Sequence, residues 1–115
     1  MNTSLKIAAS VTVLVGGVGS RASDTPPPRL LDRLETQMRL PPYASSVKSY
    51  TRIYTYDERK RFVDGLLTLG GPKTRTVASI GQLKPTPLDG GCSVISIRYD
   101  IRARSFVVAR CNGSA

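Results

Sequence analysis

The side chains that could carry out chemistry in this chain are carboxylates, tyrosines and two cysteines, because the sequence contains no histidine. Histidine is the commonest general base and the partner of most serine and cysteine nucleophiles. Its absence excludes the Ser-His-Asp triad, the Cys-His dyad and the zinc sites that include histidine. Two cysteines are also too few for a four-thiolate metal site within one chain. We therefore predict no bound metal and no cofactor.

Carboxylates remain as candidates for acid–base catalysis. Two carboxylates can share this work when a cleft holds them close together and separates their pKa values. No pair in this sequence is placed by its spacing to share a cleft, and three lie in predicted turns, where aspartate favours the local backbone geometry. We therefore predict a protein that is not an enzyme and has no catalytic residue. The carboxylates considered are Asp57, Glu58, Asp64, Asp89 and Asp100.

Cys92 and Cys111 are the two cysteines of the chain. A nucleophilic Cys92 would need a histidine, a cation or a helix amino terminus to lower its pKa, and the residues after it predict a strand. An even pair of cysteines in a small domain indicates one disulfide in an oxidising compartment. We predict a disulfide between Cys92 and Cys111. The alternative is two separate buried thiols in a cytosolic protein.

The first 22 residues have the three-part pattern of a secretory signal peptide. Residues 1–6 are polar with one positive charge, residues 7–18 are apolar and uncharged, and small residues follow. An apolar stretch of this length spans about 18 Å as a helix, whereas the bilayer core is about 30 Å thick. We therefore predict export with cleavage after Ser20 or Ala22, and no transmembrane segment. The alternative is a buried strand in which three valines alternate, Val11, Val13 and Val15.

After the predicted signal peptide, residues 23–28 read as a proline-rich linker and residues 29–115 as a single small domain. One predicted helix precedes a run of predicted strands, which favours the α+β class over α/β. We predict one amino-terminal helix packed on a four- to five-stranded antiparallel sheet. The disulfide is expected to close the carboxy-terminal hairpin of that sheet.

An amphipathic helix is predicted from Arg29 to Leu40, because apolar residues recur at the spacing of one helix face. Asp24 or Thr25 is placed to cap its amino terminus, and the two prolines after Leu40 end it. The apolar face consists of Leu30, Leu31, Leu34 and Met38.

Period-two alternation and turn residues predict two hairpins and a short strand between them. The predicted strands are 47–56, 61–69, 75–80, 92–99 and 104–111, with a loop at 82–91 before the last hairpin. With Cys92 opposite Cys111, the expected register of that hairpin pairs Val94 with Ala109, Ser96 with Val107, and Arg98 with Ser105.

The formal net charge is +9, from seventeen Lys and Arg against eight Asp and Glu. Most of the surplus lies after residue 45, on the predicted sheet and its turns, and a basic sheet face attracts polyanions. Because export separates the chain from intracellular nucleic acid, we expect an anionic envelope component or another protein as the partner. The alternative is that the charges serve solubility and protect strand edges. The candidate binding residues are Lys48, Arg52, Tyr54, Arg98, Arg102 and Arg104.

Tyrosines alternate with basic residues in the first predicted strand, as Tyr50, Arg52, Tyr54 and Tyr56. This interleaving is found on surfaces that stack and neutralise single-stranded nucleic acid. A half-exposed strand of ordinary β-forming residues explains the same pattern, and we favour that interpretation.

The carboxy-terminal block DGGCSVISIRYD followed by RCNGSA, together with the predicted signal peptide, resembles small exported proteins of alphaproteobacterial type. This resemblance implies a periplasmic location and one disulfide, and it carries no activity to transfer. The order of one helix and then a sheet is also similar to cystatin-like domains. That similarity implies an alternative function, a small enzyme inhibitor acting through its loops at 70–73 and 83–91.

Overall fold

The computed structural model describes residues 24–83 and 91–112 of the chain. The predicted signal peptide lies outside the described residues, as does most of the predicted loop at 82–91. Among the residues described, no helix is long and apolar enough to cross a membrane.

One helix is followed by five strands that form a single sheet. Helix α1 spans Pro28–Gln37, and the strands are β1 (Thr51–Tyr56), β2 (Phe62–Thr68), β3 (Arg75–Val77), β4 (Gly91–Asp100) and β5 (Ser105–Asn112). Their order in the sheet is β3-β1-β2-β4-β5. The predicted α+β class, with an amino-terminal helix and a mostly antiparallel sheet, is confirmed.

The short strand β3 is the exception to the antiparallel pattern. It pairs in parallel with β1, with Arg52 opposite Arg75 and Tyr54 opposite Val77. The chain leaves β2 through residues 69–74 and returns on the far side of β1, so β3 runs in the same direction as β1. The sheet is therefore mostly antiparallel, and it departs from the predicted antiparallel pairing at this edge.

The apolar face of α1 forms one side of the core. Leu31, Leu34 and Met38 are buried, and Leu30 packs at the margin. The helix ends at Gln37, earlier than predicted, because Met38 is extended and carries its side chain back into the core. The prediction that the helix continues to Leu40 is therefore wrong for its last turn.

The amino terminus of α1 is built by proline rather than by a side-chain cap. Pro27 occupies the cap position with no side-chain hydrogen bond, so neither Asp24 nor Thr25 caps the helix as predicted. Pro28 suits the first helical position because it has no N–H to satisfy and a helical φ. Pro26 is fully buried, so the segment predicted as a linker belongs in part to the folded domain.

The sheet face under the helix holds three buried tyrosines whose hydroxyls all find partners. Tyr50 donates to the carbonyl of Cys92 (2.8 Å), Tyr99 donates to Gln37 (2.9 Å), and Tyr54 donates to Glu35 (2.7 Å). Buried tyrosines generally keep such a partner. The first predicted strand begins later than expected, since residues 47–49 form a 3-10 turn. The favoured interpretation, a half-exposed strand of ordinary β-forming residues, agrees with the alternation of buried and partly exposed side chains in β1; Tyr50 and Tyr54 lie on its buried side.

Gly65 makes room for the ring of Tyr54. The two residues face each other across β1 and β2. A Cβ at Gly65 would lie 2.7 Å from two carbons of that ring and 2.8 Å from a side-chain carbon of Ile97. Glycine is therefore required here by close packing.

The predicted disulfide between Cys92 and Cys111 is confirmed, with 4.5 Å between the two Cα atoms. The predicted register of the hairpin is wrong. The structure pairs Ile95 with Cys111, Ser96 with Arg110, Ile97 with Ala109, and Arg98 with Val108.

Two irregularities cause the change of register. One lies in β4 between Gly91 and Ile95, and the other lies at Arg98 and Tyr99, where β5 contains an extra residue, Val107. Val107 is 58% exposed. A bulge of this kind lets Phe106 and Ala109, three residues apart, both pack against the core.

Candidate functional site

The structure divides the six candidate binding residues between two regions, and the two arginines that lie on strands, Arg52 and Arg98, are on opposite faces of the sheet. Arg52 is opposite Leu67, which faces the helix, whereas Arg98 is opposite Asp64, which faces away from it. Side chains alternate between the faces of a strand, so these two arginines cannot belong to one surface. The single basic sheet face that the sequence predicts is therefore not formed.

Lys48, Arg52 and Tyr54 lie beside the helix, where a buried ionic cluster joins α1 to the sheet. Oε2 of Glu35 accepts hydrogen bonds from Nε of Arg52 (2.7 Å) and from the hydroxyl of Tyr54 (2.7 Å). Oε1 of Glu35 accepts one from Nη1 of Arg75 (3.2 Å). The side chains of Glu35 and Arg52 are only 8% and 9% exposed. We call Glu35, Arg52, Tyr54 and Arg75 the Glu35 cluster.

The Glu35 cluster forms because helix and strand periodicities bring its members together. Glu35 follows Leu34 on α1 and so lies at the margin of the apolar face. Arg52 lies between Tyr50 and Tyr54 on the buried face of β1, and its Nη1 donates to the carbonyl of Tyr50 (3.0 Å). A buried charge is tolerated when a counter-charge and hydrogen bonds satisfy it. Glu35 and Arg52 provide this for each other.

The phenol of Tyr54 acts as a donor in the cluster. Burial raises its pKa, and the hydrogen bond to Glu35 and the charge of that carboxylate raise it further. Tyr54 therefore stays protonated at ordinary pH, and it is a structural donor that presents no stacking surface to a ligand.

A groove of about 540 Å³ opens beside the Glu35 cluster, between α1 and the β1–β3 edge of the sheet. Its lining is mostly charged or polar. The lining residues are Asp32, Glu35, Thr36, Val47, Lys48, Arg52 and Arg75.

Arg98, Arg102 and Arg104 lie at the other basic region, where two loops meet. We call this region the hairpin end; it consists of residues 57–61, residues 100–104 and Arg98. The loops are neighbours because β2 pairs with β4, and the N–H of Ile101 donates to the carbonyl of Arg61 (3.0 Å).

Two aspartates hold the loops of the hairpin end in shape. Asp57 accepts hydrogen bonds from the backbone N–H groups of Arg59 (3.2 Å), Arg61 (2.7 Å) and Phe62 (2.7 Å). Burial raises the pKa of Asp57, but the three N–H donors outweigh it and hold the pKa below its ordinary value. Asp100 accepts from the N–H of Ala103 (3.0 Å), which is the main reason that its pKa is lowered too.

Arg98 is already paired within the domain. Its Nε and Nη2 donate to the two carboxylate oxygens of Asp64, at 2.6 and 2.9 Å. Its guanidinium also lies over the ring of Phe62, 4.7 Å from the centroid. This bidentate pair neutralises Arg98, so the free positive charge of the hairpin end comes from other residues.

Three exposed arginines supply that free charge, Arg59, Arg102 and Arg104. Within the described residues, none of their guanidinium groups has an acidic partner. Lys60 differs, since its ammonium lies 3.9 Å from Asp24. Lys60 and Arg104 both have a φ of 56°, in the left-handed region that glycine and asparagine favour.

Sequence reasoning missed Glu35 and Arg75 as members of a site. The signal available for Glu35 was a carboxylate at the edge of the apolar helix face. Arg75 lies on a strand of three residues, and its distance of 40 residues from Glu35 along the chain leaves no local pattern. Of the two loops proposed for an inhibitor, residues 70–73 are exposed, whereas residues 84–90 lie outside the described part of the chain.

Comparison with protein-family models, curated proteins and solved structures finds no match to this chain. In residues 24–83 and 91–112, no group of three or more carboxylates or cysteines is placed to hold a metal ion. Function must therefore be argued from the two basic regions themselves.

The ionic cluster predicts a large difference between two neighbouring acid substitutions on α1. We expect Glu35→Gln to lower the free energy of unfolding by about 3 kcal/mol, because it leaves Arg52 buried without its counter-charge. Asp32→Asn also removes a carboxylate from Arg75, but Asp32 is 71% exposed, so we expect a loss below about 1 kcal/mol. Urea denaturation followed by circular dichroism measures both, and equal losses would show that burial of the pair contributes nothing.

Proposed function

We propose that this chain is an exported, non-enzymatic domain that binds a polyanionic component of the cell envelope through the hairpin end. The observation that carries the proposal is the set of three exposed arginines without acidic partners on two adjacent loops. This proposal replaces the sheet face considered from the sequence by the end of the sheet where the loops converge.

The chemistry of arginine suits anionic oxygen groups. A guanidinium offers a planar fork of donors that matches a phosphate or carboxylate with two parallel hydrogen bonds. The loops that carry Arg59, Arg102 and Arg104 are held by hydrogen bonds to Asp57 and Asp100. Loops already ordered in the free protein lose less conformational entropy on binding.

The backbone of Arg104 gives a second reason to connect the hairpin end with binding. A left-handed conformation costs a non-glycine residue about 1 kcal/mol. Glycine is the usual residue at such a position in a hairpin loop. An exposed arginine there lowers stability, and within the described residues its side chain makes no hydrogen bond or ion pair; a role in ligand binding accounts for its presence.

The disulfide supports the export part of the proposal. Disulfides form and persist in oxidising compartments, whereas cytosolic thiols are kept reduced. The Cys92–Cys111 bond, together with the signal-peptide pattern of residues 1–22, favours a periplasmic or secreted location.

Removing two arginines of the hairpin end tests the binding surface. We expect Arg102→Ser with Arg104→Ser to weaken binding to vesicles of equal parts phosphatidylcholine and phosphatidylglycerol by about 30-fold, since each basic residue near an anionic surface contributes about 1 kcal/mol. Sedimentation with the vesicles measures this, and retention on immobilised heparin tests an acidic polysaccharide in parallel.

The matched control is Arg33→Ser with Arg39→Ser, which removes the same charge from exposed positions on and just after α1. A comparable loss of binding in this control would show that net charge alone drives association. Unchanged binding of the Arg102 and Arg104 variant would refute the proposed surface.

A single substitution separates stability from binding at Arg104. We expect Arg104→Gly to raise the free energy of unfolding by about 1 kcal/mol through relief of the left-handed backbone. The same change should weaken vesicle binding by about fivefold, because one guanidinium is lost. Parallel urea denaturation and sedimentation measure the two effects, and a stabilised variant that binds as tightly as the original would contradict a binding role for Arg104.

Expression in a bacterial host with an intact export system tests the location. We expect the chain to be recovered from the periplasm without residues 1–20 or 1–22 and with Cys92 joined to Cys111, because signal peptidase and the oxidising compartment act together. Mass spectrometry of the intact and the digested non-reduced protein measures both properties. A full-length cytosolic chain with two alkylatable thiols would refute export.

A further inference from the structure

We propose that the groove beside α1 is a second, independent binding site, which holds the carboxylate or phosphate group of one small ligand between Arg52, Arg75 and Lys48. The groove is separate from the hairpin end and takes a discrete molecule rather than a polymer, because it is a concave space of about 540 Å³. That volume lies within the range of ordinary ligand pockets.

The first argument is a buried donor without an acceptor. Arg52 uses Nε for Glu35 and Nη1 for the carbonyl of Tyr50. Its remaining amino nitrogen, Nη2, has no acceptor within the described residues, although the side chain is only 9% exposed. Buried polar groups nearly always have a partner, and an exception calls for a water, an ion or a ligand. Arg52 lines the groove, so a ligand there can supply that acceptor.

Arg75 offers further donors at the same groove. Its Nη1 is shared between Asp32 (2.8 Å) and Glu35 (3.2 Å). Nε and Nη2 of Arg75 have no acceptor in the part of the chain that the structure describes. The guanidinium is held in place by these two carboxylates, and this leaves its other donors fixed in orientation for a ligand.

The charge of the groove selects an anion. Three cations, Arg52, Arg75 and Lys48, line it against two carboxylates. One of these carboxylates, Glu35, already accepts three hydrogen bonds from Arg52, Tyr54 and Arg75. The lining thus carries a net positive charge together with unused donors, which is the chemistry that recognises an oxyanion.

The other residues that line the groove limit how apolar the rest of the ligand can be. Among the described residues that line the groove, Val47 is the only one with a purely apolar side chain, and Thr36 adds a hydroxyl. A ligand with a large apolar body would leave these polar groups without partners, which costs free energy. The ligand class that fits is a small polar acid, either a carboxylate or a phosphate ester.

Arginine side-chain NMR tests the site directly on the mature protein. Sodium phosphate and sodium acetate are titrated separately at constant ionic strength set with sodium chloride, and the Nε–H signals of Arg52, Arg75 and Arg98 are followed. We expect saturable shifts of the Arg52 and Arg75 signals with one or both anions. Arg98 serves as the internal reference because Asp64 already takes both its Nε and its Nη2. The more tightly bound anion identifies the acid class.

Two lysine variants complete the test. Lys48→Ser should weaken the anion affinity about tenfold, because one charge-assisted contact is lost. Lys73→Ser removes the same charge from an exposed loop and should leave the affinity unchanged. Non-saturating shifts of equal size at all three arginines, or equal effects of the two lysine variants, would overturn the proposed site.

Anion binding in the groove can be tested separately from the function proposed for the hairpin end. The variant with Arg102→Ser and Arg104→Ser should keep the saturable shifts of Arg52 and Arg75. Loss of vesicle binding with intact groove binding supports both sites. Intact vesicle binding with saturable groove shifts would refute the hairpin end alone.

Discussion

The buried pairing of Glu35 with Arg52 determines how the helix sits on the sheet. A carboxylate and a guanidinium that are both about nine-tenths buried must find each other, since either one alone would be a costly uncompensated charge. Their contact fixes the rotation of α1 over β1. It also recruits the hydroxyl of Tyr54 and reaches the short strand β3 through Arg75. The parallel edge of the sheet is thereby connected to the helix.

The Glu35 cluster shows that part of the positive charge of this chain has a structural role. The surplus of positive charge suggested a single binding face, but part of it is used to join helix and sheet. Arg98 is likewise paired with Asp64. The two proposed sites use donors that are left over from this pairing, the exposed arginines of the hairpin end and the remaining guanidinium nitrogens beside Glu35. The paired positive charges thus contribute to the fold, and the proposed sites rest on donors that the fold does not use.

The periodicity of apolar residues in the sequence predicts the helix and the strands, but it does not predict which side chains of these elements contact one another. Leu31, Leu34 and Met38 form the buried helix face that their spacing predicts, and the two cysteines form the predicted bond. Period-two alternation in β1 separated the Tyr50–Arg52–Tyr54 face from its opposite, but alternation alone cannot say which face a helix will cover. The hairpin register could not be read either, because the extra residue Val107 follows from core packing around Phe106 and Ala109 rather than from a turn motif. Contacts such as Arg75 with Glu35 join distant segments and have no local signature.

The hydrogen bond from Tyr99 to Gln37 joins residues that are 62 positions apart, and Ile95 and Ile97 of the same strand belong to the core that covers α1. The helix is made near the start of the chain, but the surface that buries it is completed only by β4. A chain that is threaded amino terminus first through a translocation pore therefore cannot close this core until its last hairpin emerges. If the chain is exported as proposed, this late completion of the core delays folding until both cysteines have reached the far side.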